Sequence, residues 1–340
     1  MSIAAPTSGR PDEYRPPRTT FSYTSAVAEA PSQPRDEAPG RPGDEGSGRP
    51  RDEEGAEFQR HRARLLKVAY GLLGSFADAE DVVQEAWLRW SAADRSAIAV
   101  PHRFLMTVVT RLSIDRMRLA YRQRETYVGQ WLPEPVLIQE GQPLGPADTA
   151  AQRETLSLAM LRVLQRLSAP ERAVFVLREA FDLPYAEIGE ILGLSGAHAR
   201  QLHRRGAAHL AGDRARFTVD PGVHRDLVER FVLAARTGER ETLDGLLARD
   251  VTLWSDGGGK ARAALRPVSG AERVSRFVIG IIAKQSSVDL RIAELNGQPG
   301  LLIRLGAQWQ ACSFEVANGL ITGVQLMANP DKLGRLIPAR

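Results

Sequence analysis

Between Tyr185 and Leu210 the chain carries side chains suited to reading the edges of DNA bases. At about 100° per residue, Ala197, Arg200, Gln201, Arg204 and, at its edge, Arg205 fall on one side of a helix. Ala199, Leu202, Gly206 and Leu210 fall on the other. Arginine can bond guanine O6 and N7, glutamine can bond adenine N6 and N7, and further arginines hold phosphates. No acidic residue interrupts this face, although a solvated stripe on a packed helix would have the same pattern. His198, His203 and His209 lie at different angles around the helix with no cysteine or acidic cluster beside them, so no metal site is expected.

A reading helix needs a partner that props it up. Ile188, Ile191 and Leu192 make one apolar stripe just upstream; Gly193 is placed to end that helix and Ser195 to cap the next. Gly189 lets the two helices cross closely, which predicts a helix-turn-helix.

Two earlier helical stretches present further faces. In Asp78–Trp90, Ala79, Val82, Val83, Ala86 and Trp90 form an inward stripe, while Asp81, Gln84, Glu85 and Leu88 point outward. An acidic strip containing a leucine suits a protein partner and equally suits solvent. In Pro101–Tyr121, Phe104, Leu105, Val108, Val109 and Leu112 face inward, opposite Arg103, Thr107, Thr110, Arg111, Ile114, Arg118 and Tyr121. Basic, hydroxyl and aromatic groups on one face fit the phosphates and unstacked bases of a single strand, or simply water.

The 340 residues suggest about two or three domains. Residues 1 to about 55 are rich in Pro, Gly and Arg and predict a disordered tail. They hold seven Arg and ten acids, a net −3, so the remainder carries +7 of the whole chain's +4. That modest excess permits a nucleic-acid partner without requiring one. Helical periodicity covers about 56–124 and 154–214, separated by a Pro- and Gly-broken linker at 125–153. The third domain, 220–335, predicts helices near 224–237, 239–248 and 270–285, then period-two strands joined by the hairpin signals Asn296-Gly297 and Asn318-Gly319: an α+β domain on a curved antiparallel sheet. One cysteine, Cys312, excludes a disulfide framework. No apolar run is long enough to span a membrane and no signal-peptide core opens the chain, so a cytoplasmic location is expected. Asp256, Lys260, Asp289, Glu294 and Glu315 are the ionisable candidates for acid–base work in the third domain and form no recognisable catalytic set; no cofactor is implied.

The order of these parts resembles the sigma-70 family. Asp78–Trp87 looks like the polymerase-binding helix of region 2, Pro101–Arg118 like its promoter-melting, −10-reading part, and Tyr185–Leu210 like the −35-reading helix-turn-helix of region 4. With neither region 1 nor region 3, the chain resembles the extracytoplasmic-function (ECF) sigma factors. Trp131-Leu132-Pro133-Glu134-Pro135, Asp256-Gly257-Gly258-Gly259-Lys260 and Asn329-Pro330-Asp331-Lys332-Leu333 match, in order, three signatures of the ECF subgroup with a fused SnoaL-like C-terminal domain, the sigma-J-like proteins. Within the recognition helix Gly196 and His198 depart from the usual pattern.

The resemblance implies two all-α sigma domains followed by an α+β SnoaL-like cone, and a function in promoter-specific initiation rather than catalysis. Region 2 would dock Asp81, Gln84, Glu85 and Leu88 on the β′ clamp helices of core RNA polymerase and trap flipped −10 bases; region 4 would sit on the β flap and read −35. The linker, fully extended, reaches about 95 Å, against about 58 Å for a seventeen-pair spacer. The Asp256–Lys260 loop would hold the Trp131–Pro135 linker, and the Asn329–Leu333 segment would help the domain toggle. Alternatives are a helix-turn-helix regulator acting without polymerase, and an enzymatic or ligand-sensing third domain.

Overall fold

The computed structural model describes residues 49–124, 126–137, 149–214, 220–285 and 287–336. The expected tail up to residue 48 and the linker residues 138–148 lie outside the described residues, as does the junction at 215–219.

Helix α1 (Arg49–Leu73) begins several residues before the expected end of the tail. Pro50 stands in its first turn, where a missing N–H removes no helical bond. From Leu65 to Leu73 nearly every side chain of α1 is buried, so this helix is the central post of the helical part. Around it pack α2 (Phe76–Ala92) and α3 (Pro101–Arg124), then α4 (Ala150–Thr155), α5 (Leu158–Leu164), α6 (Ala169–Glu179), α7 (Tyr185–Leu192) and α8 (Gly196–Arg214). Short polar residues start several of these: Ser75, Thr149 and Ser157 each accept a backbone N–H, and Ser168 and Glu171 form a reciprocal capping box.

The two helical modules separated by the linker share one hydrophobic core. Phe58, Tyr70 and Trp90 of the first lie in the same buried cluster as Phe175, Ile188 and Leu210 of the second. Each fully buried side chain of this size contributes roughly 1.5–3 kcal/mol, so the modules gain substantially by staying together.

The third part comprises α9 (Pro221–Thr237), α10 (Arg240–Leu246), β1 (Leu247–Asp256), β2 (Val268–Ser269), α11 (Ala271–Ile282), β3 (Val288–Leu295), β4 (Gln298–Leu305), β5 (Gln308–Ala317) and β6 (Leu320–Met327). The sheet runs β2-β1-β6-β5-β4-β3. It is not wholly antiparallel as expected: β1 and β6 pair in parallel. The chain leaves β1 through α11 and crosses to the far edge, and the β3–β6 meander then brings β6 back alongside β1 in the same direction. Asn296-Gly297 and Asn318-Gly319 adopt left-handed backbone at both positions, as tight two-residue hairpins require. One sheet face packs under α9 and α11. The other packs on the linker and α5 through Leu132, Leu158, Ala311 and Met327.

Candidate nucleic-acid interface

The helix-turn-helix is built from small residues at its crossing. Gly193 ends α7 in the left-handed region at φ 69°. A Cβ on Gly189 would lie 2.7 Å from the Leu194 carbonyl oxygen, so the turn closes over a position that only glycine fits. Ser195 Oγ accepts the His198 N–H at 3.1 Å and starts α8. Ala199, Leu202, Gly206 and Leu210 are buried, while Ser195, Ala197, Arg200, Gln201, Arg204 and Arg205 are exposed. Arg200 lies over the Tyr185 ring at 5.3 Å and Arg205 reaches Glu171 at 3.3 Å. His203 bonds Glu179 and Tyr185, and among the described residues no group of His, Cys, Asp and Glu could hold a metal ion.

The basic face of α3 is not laid out as its periodicity suggests. Arg103, Arg111, Arg118 and Tyr121 are exposed, Thr107 and Ile114 are half-buried, and Thr110 is fully buried with no partner for its hydroxyl. The reason is α7. Arg111 Nε donates to the Ile191 carbonyl at 3.0 Å, and Arg103 approaches Glu187 and Glu190 at 3.9 and 3.6 Å. The face expected to meet a melted strand thus lies against the first helix of the helix-turn-helix. On α2, Asp81, Gln84, Glu85 and Leu88 are all exposed, Leu88 at 59%. Asp81 is tied to Arg116 at 2.6 Å and Glu85 to Arg89 at 2.6 Å.

The segment Trp131–Pro135 lies between the first helical module and the third domain. Toward that module, Glu134 Oε2 accepts the backbone N–H groups of Phe76 and Ala77 at 2.8 and 3.3 Å, placing a carboxylate at the start of α2. Burial pushes the Glu134 carboxyl up, opposed by those two N–H groups. Tyr70 donates to the Glu134 carbonyl at 2.6 Å. Arg124 and Lys332 both lie over the Trp131 ring, at 3.6 and 4.1 Å from its centre.

Toward the third domain, everything converges on Asp256, which is wholly buried. Its carboxylate accepts from the Tyr127 hydroxyl (2.6 Å), the Leu132 N–H (2.9 Å), the Gly258 N–H (3.0 Å) and Lys332 Nζ (2.8 Å). Lys332 also donates to the Leu132 carbonyl at 2.7 Å. Burial lowers this ammonium to about 8, with Asp256 holding it up. Burial and the Asp256 carboxylate push the Tyr127 phenol up, so it stays a donor. Asn329 donates to the Tyr127 hydroxyl at 2.9 Å, Lys260 pairs with Asp331 at 2.6 Å, and Leu333 joins the small core beside Leu132. Gly258 has φ 57°, and a Cβ there would come within 2.3 Å of the Asn329 amide. The three motifs of the sequence therefore form one contact: the Asp256–Lys260 loop and the Asn329–Leu333 segment together grip the linker.

Two further ties were not anticipated from sequence. Asn296, at the tip of the β3–β4 hairpin, is buried where the three parts meet. Its Nδ2 donates to the Tyr70 hydroxyl (2.7 Å) and the Leu156 carbonyl (2.8 Å), and its Oδ1 accepts the Val136 N–H (3.0 Å). Glu315, counted above among ionisable groups of the third domain, accepts from Arg162 Nε and Nη2 of α5 at 3.0 and 2.7 Å, and Arg162 stacks on Trp254 at 3.7 Å. The Asn-Gly pair announces a turn, but nothing local announces what the turn touches.

A cavity of about 50 Å³ lies between α9, α11 and the sheet, walled by apolar side chains with Gln310 and Cys312. None of Asp256, Lys260, Asp289, Glu294 or Glu315 lines it.

This combination, a capped helix-turn-helix and a second helical module joined by a gripped linker, is that of a sigma factor with an added C-terminal domain. The sigma-70 region 2 family matches residues 58–123, and the sigma-70 region 4 family matches residues 157–210. The chain is 38% identical over 293 residues to the ECF RNA polymerase sigma factor SigJ of Mycobacterium tuberculosis, covering 82% of this chain and 93% of that one. It is 30% identical over 284 residues to the probable ECF sigma factor SigI of the same species, covering 83% and 95%. The crystal structure of M. tuberculosis SigJ superposes with a TM-score of 0.68 at 36% identity, covering 84% of this chain and 99% of that one. The chain belongs to the ECF RNA polymerase sigma factors, in the subgroup with a fused SnoaL-like domain.

Proposed function

We propose that the free protein is a closed form of this sigma factor, which opens when it meets core RNA polymerase. The observation that carries this is the packing of α3 against α7: Arg111 and Arg103 are engaged by the helix-turn-helix while the base-reading face of α8 stays exposed. A factor that reads two elements about 58 Å apart must separate these modules.

In the open form Asp81, Gln84, Glu85 and Leu88 dock on the β′ clamp helices and region 4 sits on the β flap. Ser195, Ala197, Arg200, Gln201, Arg204 and Arg205 face the −35 duplex. Arg103 and Arg111, released from α7, then join the exposed Arg118 and Tyr121 and the half-buried Thr107 and Ile114 in meeting −10 bases, and Thr110 becomes accessible as the modules part. The Asp256–Lys260 loop and Asn329–Leu333 segment set how readily this happens, because they hold the linker's Trp131–Pro135 stretch against region 2. The protein works where polymerase works, in the cytoplasm. No helix among the described residues is long and apolar enough to cross a membrane. The third domain acts as a regulator rather than an enzyme: its cavity lacks an acid–base set, and its buried carboxylates Asp256 and Glu315 are occupied by Lys332 and Arg162.

Run-off transcription with purified core polymerase tests this reading. Truncation after Met327 removes Asn329 and Lys332 and should raise promoter-specific output at least several-fold. Unchanged output would count against regulation by the third domain; specific operator binding with no effect of polymerase would favour a polymerase-independent regulator.

A further inference from the structure

We propose that the cleft between the end of α3 and the α5–α6 turn is a binding site for a small phosphate-bearing anion, one that the closed form completes and the open form dismantles. The cleft encloses about 400 Å³, with Arg118, Arg124 and Tyr121 on its region 2 side and Gln165, Arg166 and Arg172 on its region 4 side.

The unusual feature is charge with little counter-charge. Arg172 is buried, at 5% exposure, and Arg124 is half-buried. Both donate to the same acceptor, Gln165 Oε1, Arg172 at 3.1 Å. Their other partners are main-chain carbonyls at the end of α1, Leu72 and Leu73, and, for Arg124, the Trp131 ring. The Nε–H of each is buried and unbonded. Among the described residues no carboxylate pairs with either guanidinium; Asp78, the acid lining the cleft among them, acts on Arg124 from a distance and is itself bonded to Arg116. Burial draws Arg124 down to about 10, against the pull of Asp78, and draws Arg172 to about 9, with the neighbouring Arg124 adding to the effect. The carbonyl end of α1 supplies only partial negative charge, about half an elementary unit, against two full positive charges, one buried and one half-buried.

Buried guanidiniums are normally compensated by carboxylate or phosphate, which they bind with two parallel N–H bonds. Here the protein has left that place to something else. A phosphoryl group is the group that suits several converging arginines, and Tyr121, 71% exposed at the rim, offers a flat ring on which a base could stack. The shared chemistry, phosphate, could come from a free nucleotide or from a DNA strand. The walls belong to two modules that must part before promoter DNA is engaged, which argues for a free small molecule. Bound there, it would bridge α3 to α6 and favour the closed form by mass action.

Isothermal titration of the full-length protein with inorganic pyrophosphate, with ADP and with a ten-residue oligothymidylate tests this. The expected result is one saturable site for pyrophosphate and tighter binding of ADP. Gln165→Glu, which puts a carboxylate where both arginines already donate, should weaken pyrophosphate at least tenfold while leaving the circular dichroism spectrum unchanged. Arg172→Gln should weaken it similarly; should that variant fail to fold, Gln165→Glu decides alone. Absence of saturable pyrophosphate binding overturns the proposal. So does binding that Gln165→Glu leaves unchanged, and so does binding confined to the oligothymidylate, which would assign the phosphates to DNA.

Discussion

Asn296 shows how much a single side chain can hold. Its amide is bonded to region 2, to the linker and to the start of region 4, and its own backbone sits at φ 52°, a conformation asparagine and glycine tolerate best. Asn296→Gly therefore keeps the hairpin and deletes the ties, leaving the Val136 N–H and Leu156 carbonyl buried and unpaired. We expect a loss of about 3 kcal/mol in the docking of the modules. The check is limited proteolysis of the linker, which should accelerate strongly while urea unfolding of the third domain itself is unchanged. Equal protease resistance would mean the hairpin tip is passive. The sequence shows the Asn-Gly turn because a turn is a local property. It does not show the function of the turn, because Tyr70 lies 226 positions away. The same limit applies to Thr110: helical periodicity groups it with Arg103 and Arg111, whose face meets a helix about 80 residues downstream, and the structure buries it. Asp256, Trp131 and Lys332, by contrast, were legible through their motifs, although only the structure shows that one carboxylate joins them.

Among the elements, α8 and α9 each carry a prediction. The α8 pattern was readable from sequence because capping, glycine placement and the apolar stripe are all set within twenty-odd residues, and the buried set is the one its periodicity gives. Arg200→Ala and Gln201→Ala should each cost about 1–3 kcal/mol of discrimination between a −35 duplex and a scrambled one, measured by fluorescence anisotropy at fixed salt. Equal loss on both duplexes would reassign these residues to the phosphate backbone. In α9, His224 is buried with its Nε2 unbonded, and burial lowers it to about 4. The unfolded imidazole takes up a proton near 6.5, well before the folded one does. Stability is thus complete above pH 6.5 and declines as pH falls toward 4, by up to about 3 kcal/mol in total. Urea titrations at pH 7 and pH 5 should differ by about 2 kcal/mol from this group, and His224→Phe should abolish that part of the difference. A variant with the same pH dependence as the parent would show that His224 is solvated.

Across the whole molecule, the two helical modules share one core, and the sheet of the third domain covers both the linker and α5. Besides the α3–α7 contact, the third domain ties the helical part at separated places, among them the Asp256–Lys332 grip on the linker, the Asn296 junction and the Arg162–Glu315 pair. Opening must therefore be driven by something with more contact area than any one of them, and core polymerase is the natural candidate. This can be read as a distance. Labels at Ser91→Cys on the end of α2 and Ala208→Cys on α8, with Cys312 buried, report the separation of the two modules by resonance energy transfer. The account predicts a short distance in the free protein that lengthens toward the promoter spacing of about 58 Å when core polymerase and promoter DNA are added. An unchanged distance in a transcriptionally competent complex would contradict it.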